Sequence, residues 1–501
     1  MRTGAIRQCA ECRPGASWRA LALGALLLAI LVAPGAVAAA DEGGPDPLQE
    51  AIAAERWDDA IAAARATLEA DPDDPATRAG LGTALLGKAR QETQVVIPSR
   101  LEAAKQSGDA AAFLDPSLFR TEVTYDEELR EEAGVEFRRA LELDPDSLEA
   151  YLGLARVQAE DAPEQLEVLQ AAAKRFAGDD DVGAQLLEFG VEHFRAGRVD
   201  LALPVFEALS AAYPDLADAR LDLGAALFAT AQYDRGIAAL ERLAADHPED
   251  ANVLRALAPM YMFRLRWDQA AARFAQLREL EEDDRWSAVH EAAARMPFQP
   301  DAAKALLQTV IDADPQRRDP VTAVASNLLT ALTEKEIPAE DLIRLATQLN
   351  QFSYPQLAVA VTAFLRSREP RSIASRVMLA YLYDNLRYYD LALQQLDEAK
   401  GIIRADPEAA APYTERRLAG HYGRVYFNMQ QWEKAAQAFA TADDLGPLAL
   451  AAGITYEKLG NYPAAYAYFQ QVVDGGGPEA LVGRARSEMD KPVYAPFRKE
   501  P

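Results

Sequence analysis

Cysteine is almost missing. The 501 residues hold two, Cys9 and Cys12, which excludes a disulfide scaffold and a zinc site built from four thiolates. Histidine is nearly as scarce. His193, His247, His290 and His421 stand isolated, with no His-Glu-x-x-His and no pair at i,i+4 spacing, so each is expected to be a surface or packing residue. No Gly-x-Ser-x-Gly elbow and no EF-hand spacing occurs. The stretch Gly82 to Lys88 approaches a phosphate-binding loop, but Ala89 stands where a Ser or Thr would hold magnesium, and no strand is expected before it. Gly82 reads better as the small residue of a packed helix. Positive charge is also short: 52 Lys+Arg against 78 Asp+Glu leave a net charge of −26. Phosphate repels a surface of that sign, so nucleic acid is not expected as a partner. No constellation supports an enzyme, a metal or a cofactor.

What the chain does have begins at its N-terminus. Arg2, Arg7, Arg13 and Arg19 precede an uncharged run, Ala20 to Ala33, which breaks at Pro34-Gly35 and is followed by the small-x-small patterns Ala36-Val37-Ala38 and Ala38-Ala39-Ala40. This order is that of a secretory signal peptide, residues 1–40, and the run is shorter than the roughly 20 residues of a membrane span. Cleavage near Ala38 or Ala40 would release a periplasmic or secreted protein; an uncleaved segment would leave it anchored in the inner membrane. Residues 1–40 carry four Arg and one Glu, or +3, so the remainder carries −26 − 3 = −29. Both cysteines fall in the removed part, where their C-x-x-C has no folded context to serve.

Beyond residue 40 the pattern repeats. In steps of 34, Ala202 leads to Gly236 and Ala270, Val199 to Tyr233 and Trp267, Phe206 to Leu240 and Phe274, Pro214 to Pro248, and Ala358 to Ala392. A small residue lets two helices approach, an aromatic fills the turn between them, and a proline ends the second helix. Leu68-Glu69-Ala70-Asp71-Pro72 and Ala140 to Pro145 have the form of a repeat ending. Gly423, Tyr426, Trp432, Ala435, Phe439, Ala442 and Pro447 form a nearly complete unit, and Gly453, Tyr456, Gly460, Tyr462, Ala465 and Phe469 form the last one. The pattern resembles the tetratricopeptide repeat (TPR) family over most of residues 47–489. That resemblance implies an all-α fold, a right-handed superhelical solenoid of antiparallel helix pairs with about 10–12 units, some degenerate. Acidic pairs such as Asp73-Asp74 and Asp179-Asp180-Asp181 fall at repeat turns, where they would cap the next helix.

The departures mark domains. The step from Ala60 to Ala133 carries an insertion of 39 residues, about 91–128, with the apolar Val95-Val96-Ile97-Pro98, an amphipathic helix expected around Arg100 to Leu114, and the aromatics Phe119 and Tyr125. It is either functional or a cap on a helix end. Prolines 297, 300, 315 and 320 suggest a joint, giving an N-terminal block, 41–315, and a C-terminal block, 316–489, whose last helix caps the solenoid. Residues 490–501 are expected to form a mobile tail.

The resemblance also implies a concave face, lined by the first helix of each pair, that receives one or more protein partners. In the middle repeats that face reads Leu187, Val191, Phe194, Leu221, Phe228, Met262 and Phe263. It is either a docking stripe for an apolar segment or internal core buried by tight curvature. Later it turns polar, with Asn350, Tyr381, Asn385, Arg417, Arg424 and Asn428. The family's carboxylate clamp of repeated Lys and Asn is not reproduced. Two functions follow as expectations: a non-enzymatic scaffold that helps assemble an envelope, secretion or polysaccharide-export complex, or a glycan-binding protein that stacks sugars on Tyr381, Tyr388, Tyr389, Tyr413, Tyr422 and Tyr426.

Overall fold

The same backbone turn recurs through the chain. In the computed structural model, residues Glu55, Ala231, Leu265, Ser353, Arg387 and Gln430 have φ between 53° and 66°, and Gly197 and Gly460 occupy the same place at 77° and 73°. Each lies between the two helices of a pair. At 227–232 the closing bonds are Gln232 N–H to the Leu227 carbonyl (2.9 Å) and Ala231 N–H to the Phe228 carbonyl (3.2 Å), the left-handed helix ending that satisfies last-turn carbonyls. The turn fixes where the second helix starts, and Gln232, Arg266, Tyr388 and Gln431 at those starts make no side-chain cap. First helices are capped instead by acids and hydroxyls: Asp74 accepts from Ala76 N–H, Asp179 from Val182 N–H and Ser372 from Ser375 N–H. The acids expected at repeat turns therefore do cap helices.

The structure describes residues 46–96, 119–158, 162–281, 284–316, 319–334, 337–408, 410–476 and 478–497. The signal peptide expected at residues 1–40 and the amphipathic helix expected near 100–114 both lie outside them. The architecture is the expected all-α, TPR-like solenoid of helix pairs. Each pair is held by a close contact. A Cβ at Gly190, Gly423 or Gly453 of a first helix would stand 2.5, 2.5 and 2.4 Å from the rings of Phe206, Phe439 and Phe469 of the following helix. The small residues of the second helices, Ala202, Ala270, Ala358, Ala392, Ala435 and Ala465, are fully buried. A further link was not apparent from residue type: Arg78, Arg220 and Arg376 each donate back to the carbonyl of the proline six residues earlier, Pro72, Pro214 and Pro370.

The described chain divides into two units, one up to Ala226 and one from Leu227. The joint expected near residue 315 falls inside the second. In the first unit the Pro75–Ala89 and Glu127–Leu143 helices form one pair, with the insertion placed in the turn between them. The ends of that insertion are strands, Arg90–Val96 and Phe119–Tyr125, paired antiparallel from Arg90 opposite Tyr125 to Val96 opposite Phe119. Asp126 N–H donates to the Ala89 carbonyl at the foot of this ribbon (2.9 Å), so the helix pair closes as if nothing had been inserted.

In the second unit the Pro355–Arg368 helix has no polar face. Its nine consecutive residues Leu357 to Leu365 are all buried. Besides its sequence neighbours it packs against the Ala251–Phe263 and Arg285–Arg295 helices, so this stretch folds back on earlier repeats. At the C-terminus the expected mobile tail is docked as far as Phe497. Tyr494 is fully buried among Tyr462, Tyr466 and Phe469, and its hydroxyl donates to Glu457 (2.6 Å).

Gly453→Ala should cost about 1–3 kcal/mol, because its methyl meets the Phe469 ring in a packed core. Gly401→Ala, whose Cβ meets nothing within 4 Å in the interior of the Tyr389–Ala405 helix, should gain about 0.5–1 kcal/mol. Denaturant unfolding of both variants checks the contrast, and equal effects would contradict it.

Candidate partner-binding face

The residues of the apolar stripe are drawn into packing. In the first unit Leu187 is buried, and Val191 and Phe194 lie half-buried against the same core, with Phe194 edge-on to Phe206 at 6.1 Å between ring centroids. Leu221 is half-buried. In the second unit Phe228, Met262 and Phe263 are 2%, 0% and 6% exposed. The Tyr388 ring lies 5.3 Å from Phe228 and 5.4 Å from Phe263. The Tyr383 hydroxyl donates to the Phe263 carbonyl (2.7 Å), and Tyr233 bonds the Asp390 carboxylate. These three residues are therefore internal core rather than open surface. The covering tyrosines come from repeats that the buried Pro355–Arg368 helix brings alongside.

The polar residues behave differently. Tyr381, Asn385, Arg424 and Asn428 gather around one carboxylate, Asp384, which is 3% exposed. Arg424 Nε lies 2.8 Å from Asp384 Oδ2, and Asn428 Nδ2 donates to Oδ1 and Oδ2 at 2.8 and 3.0 Å. Arg424 also donates to Asn385 Oδ1 (2.7 Å) and lies 4.5 Å over the Tyr381 ring. The Ile373–Asn385 and Glu415–Asn428 helices, first helices of successive pairs, supply all five. A buried carboxylate is tolerated only with this degree of hydrogen bonding. Burial still dominates and pushes its pKa above the usual carboxylate value, against the opposing bonds from Asn428 and Arg424.

Asn350 is half-buried on the Ala339–Gln351 helix and makes no side-chain bond to the cluster. Arg417 is exposed, and its side chain donates to the Pro412 carbonyl at 3.5 Å. His421 lies between Arg417 and Arg424 in the helix sequence. Burial first, then those two cations, push it down to about 4, so it is neutral at physiological pH. Asp384 balances Arg424, while Arg417 and Arg387 are exposed cations near the cluster in sequence.

Two of the other histidines are packing groups: His193 bonds buried Gln165 (2.6 Å), and His290 stacks on Phe274; His247 is exposed. Among the described residues no group of three or more His, Cys, Asp or Glu could hold a metal. An open cleft of about 490 Å³ at the foot of the hairpin is lined by mixed charges, including Glu127, Arg130, Glu131 and Arg138, around the exposed Val135. It lacks a convergent set of reactive groups. What the Asp384 cluster can do is hold donors and acceptors in fixed positions.

Residues 193–259 match the tetratricopeptide repeat family model. This stretch, long enough for about two 34-residue units, has the tetratricopeptide repeat pattern. No curated protein matches the chain. Similar solved structures include a tetratricopeptide repeat protein from Parabacteroides merdae (13% identity, 61% of this chain and 97% of that one, TM-score 0.26). They also include a thermophilic TPR protein from Thermus thermophilus (19% identity, 41% and 98%, TM-score 0.25). With TM-scores this low, the assignment rests on the family match and on the repeat geometry. Tetratricopeptide repeat proteins generally mediate protein–protein interactions, and the fold is generally a non-enzymatic scaffold.

The sequence carried a signal for the covered stripe that periodicity did not use: Leu357 to Leu365 holds a single hydroxyl and no charge, the mark of a helix buried on every side.

Two outcomes follow. Phe263→Asp should destabilise the chain by at least about 4 kcal/mol, because it leaves an unpaired charge in core; a melting temperature near wild type would contradict the burial. In the first unit, burial and then the charge of Asp218 push Asp222 up to about 6, against the pull of Arg195. The folded state then keeps a proton that the unfolded chain loses between about pH 4 and 6, so this group's contribution to stability falls as pH rises through that window. Asp222→Asn should therefore be more stable than wild type at neutral pH by about 1–2 kcal/mol, with the gain fading toward pH 4. A gap that does not change with pH would contradict it.

Proposed function

We propose that this chain is an exported, non-enzymatic scaffold that brings proteins of the cell envelope together, and that partners dock on the first-helix face around Asp384. The observation that carries the docking reading is the buried carboxylate itself. Asp384 fixes Arg424 and Asn428 before any partner arrives, and groups fixed in advance lose little entropy on binding. Export is supported by the arginine-led, small-residue-ended segment of residues 1–40. Assembly of an envelope, secretion or polysaccharide-export complex is the use that such a protein would have in that compartment.

The glycan reading has less support, because three of its six tyrosines are engaged. Tyr388 packs on Phe228 and Phe263, Tyr381 lies under Arg424, and Tyr422 donates to Asp397 (2.6 Å).

Two measurements test the proposal. Fractionation should find the tagged full chain in the envelope or periplasm and a chain without residues 1–40 in the cytoplasm; identical distribution would contradict export. In pull-downs from envelope extract, Gln351→Glu combined with Arg417→Glu should reduce partner capture about tenfold or more with unchanged melting, since both side chains are exposed and outside the core. Undiminished capture would remove this face from the account.

A further inference from the structure

The two-stranded ribbon of the first unit has an open edge. Its strands, Arg90–Val96 and Phe119–Tyr125, pair in one unbroken register. The bond from Asp126 N–H to the Ala89 carbonyl continues that register at the foot. Hydrogen-bonded pairs therefore fall at Gln91–Thr124, Thr93–Glu122 and Val95–Arg120, and the main-chain groups of Arg90, Glu92, Gln94 and Val96 point away from the second strand. The helix end agrees with this alternation, since the Arg90 N–H turns back to the Leu86 carbonyl. No bond to the outward N–H or carbonyl of Glu92 occurs among the described residues.

Such an edge is usually blunted by proline, lysine or a bulge. Residues 90–96 hold none of these. A two-stranded ribbon alone is marginally stable in water. This one packs on the first unit's core through Tyr125, whereas Gln91 to Gln94, Val96 and Val123 are exposed.

Charge indicates what the edge fits. A chain of net charge −26 repels its own copies over most of its surface. The ribbon sums to zero, with Arg90 and Glu92 in one strand, joined at 2.7 Å, and Arg120 and Glu122 in the other. The first strand is also complementary to itself. Laid antiparallel about Thr93, it sets Thr93 against Thr93, Glu92 against Gln94, Gln91 against Val95 and Arg90 against Val96. No like charges stand directly opposite, β-branched residues meet at the centre, and the outward main-chain groups of Glu92 and Gln94 face each other. A register centred on Glu92 would oppose two carboxylates.

We propose that this edge joins two copies of the chain, residues 90–96 pairing antiparallel about Thr93 to form one continuous sheet from both ribbons. The helical bodies then lie at opposite ends of the sheet, and the Arg90 stem of one copy covers Val96 of the other. The inference goes beyond the scaffold reading and does not depend on the face around Asp384.

The test uses the full chain with Cys9→Ser and Cys12→Ser. At micromolar concentration it should sediment as twice the 54.6 kDa of one chain. Glu92→Pro removes an outward N–H and leaves the ribbon's own bonds in place, so it should weaken dimerisation about tenfold or more at unchanged melting temperature. Thr93→Cys should form a disulfide between copies on mild oxidation, because facing residues of a non-hydrogen-bonded pair have Cα atoms about 4.5 Å apart. Gln91→Cys, whose counterpart would lie about 14 Å away, should not. A monomer, a dimer that Glu92→Pro leaves unchanged, or equal cross-linking at the two positions would each overturn the inference. Cross-linking of Thr93→Cys in extract to other proteins, but never to a second copy, would overturn it too and assign the edge to a foreign strand.

Discussion

The burial of one helix organises the second unit. Pro355–Arg368 presents apolar side chains in every direction, and an open solenoid of helix pairs offers partners on too few sides to cover it. The unit meets that demand by bringing the Ala251–Phe263 and Arg285–Arg295 helices against it. Fully burying a Leu, Val or Phe side chain contributes about 1.5–3 kcal/mol each, so the closure is well supported energetically. Its consequence is that Tyr383 and Tyr388 arrive over Phe228, Met262 and Phe263, 120 residues away along the chain in the case of the Tyr383–Phe263 bond.

The closure also decides which part of the first-helix face remains available. The covered stretch has no accessible apolar groups to offer. Beyond it the Ile373–Asn385 and Glu415–Asn428 helices carry polar side chains, and the fold invests there in a buried carboxylate held by an ion pair and by the Asn428 amide on both oxygens. An apolar residue at position 384 would pack more cheaply. Asp384 instead sets the orientation of Arg424, Asn385 and Asn428, which is a property useful to a binding surface. His421, pushed down to about 4 by burial and the neighbouring cations, adds no change of charge there in the physiological range.

Much of this was legible in the residues. The 34-residue step placed the helix pairs, the steps of 43 from Ala392 to Ala435 and 30 from Ala435 to Ala465 match the spacing of the left-handed turn residues 387, 430 and 460, and the polar groove residues Tyr381, Asn385, Arg424 and Asn428 do share one face. Covering of the apolar stripe was not legible from periodicity, because a repeat pattern records contacts between neighbours and this contact joins repeats far apart. The apolar run 357–365 was the available clue. The hairpin was missed for a different reason. Thr93 and Val95 in one strand, and Thr121 and Val123 in the other, alternate as strand residues do, but two such positions per strand are a short signal inside a helical repeat. The docked tail turned on a single aromatic, Tyr494, whose pocket exists only once the last pair has folded.

The central claim is that the first-helix face of the second unit is sealed around residue 262 and open around residue 385. Thiol labelling tests it directly, since the chain's own cysteines are confined to positions 9 and 12. In a Cys9→Ser, Cys12→Ser background, Met262→Cys should react with a soluble thiol reagent only at the rate of unfolding, whereas Asn385→Cys should react at nearly the rate of a free thiol. Fast labelling at both positions under native conditions would contradict the account.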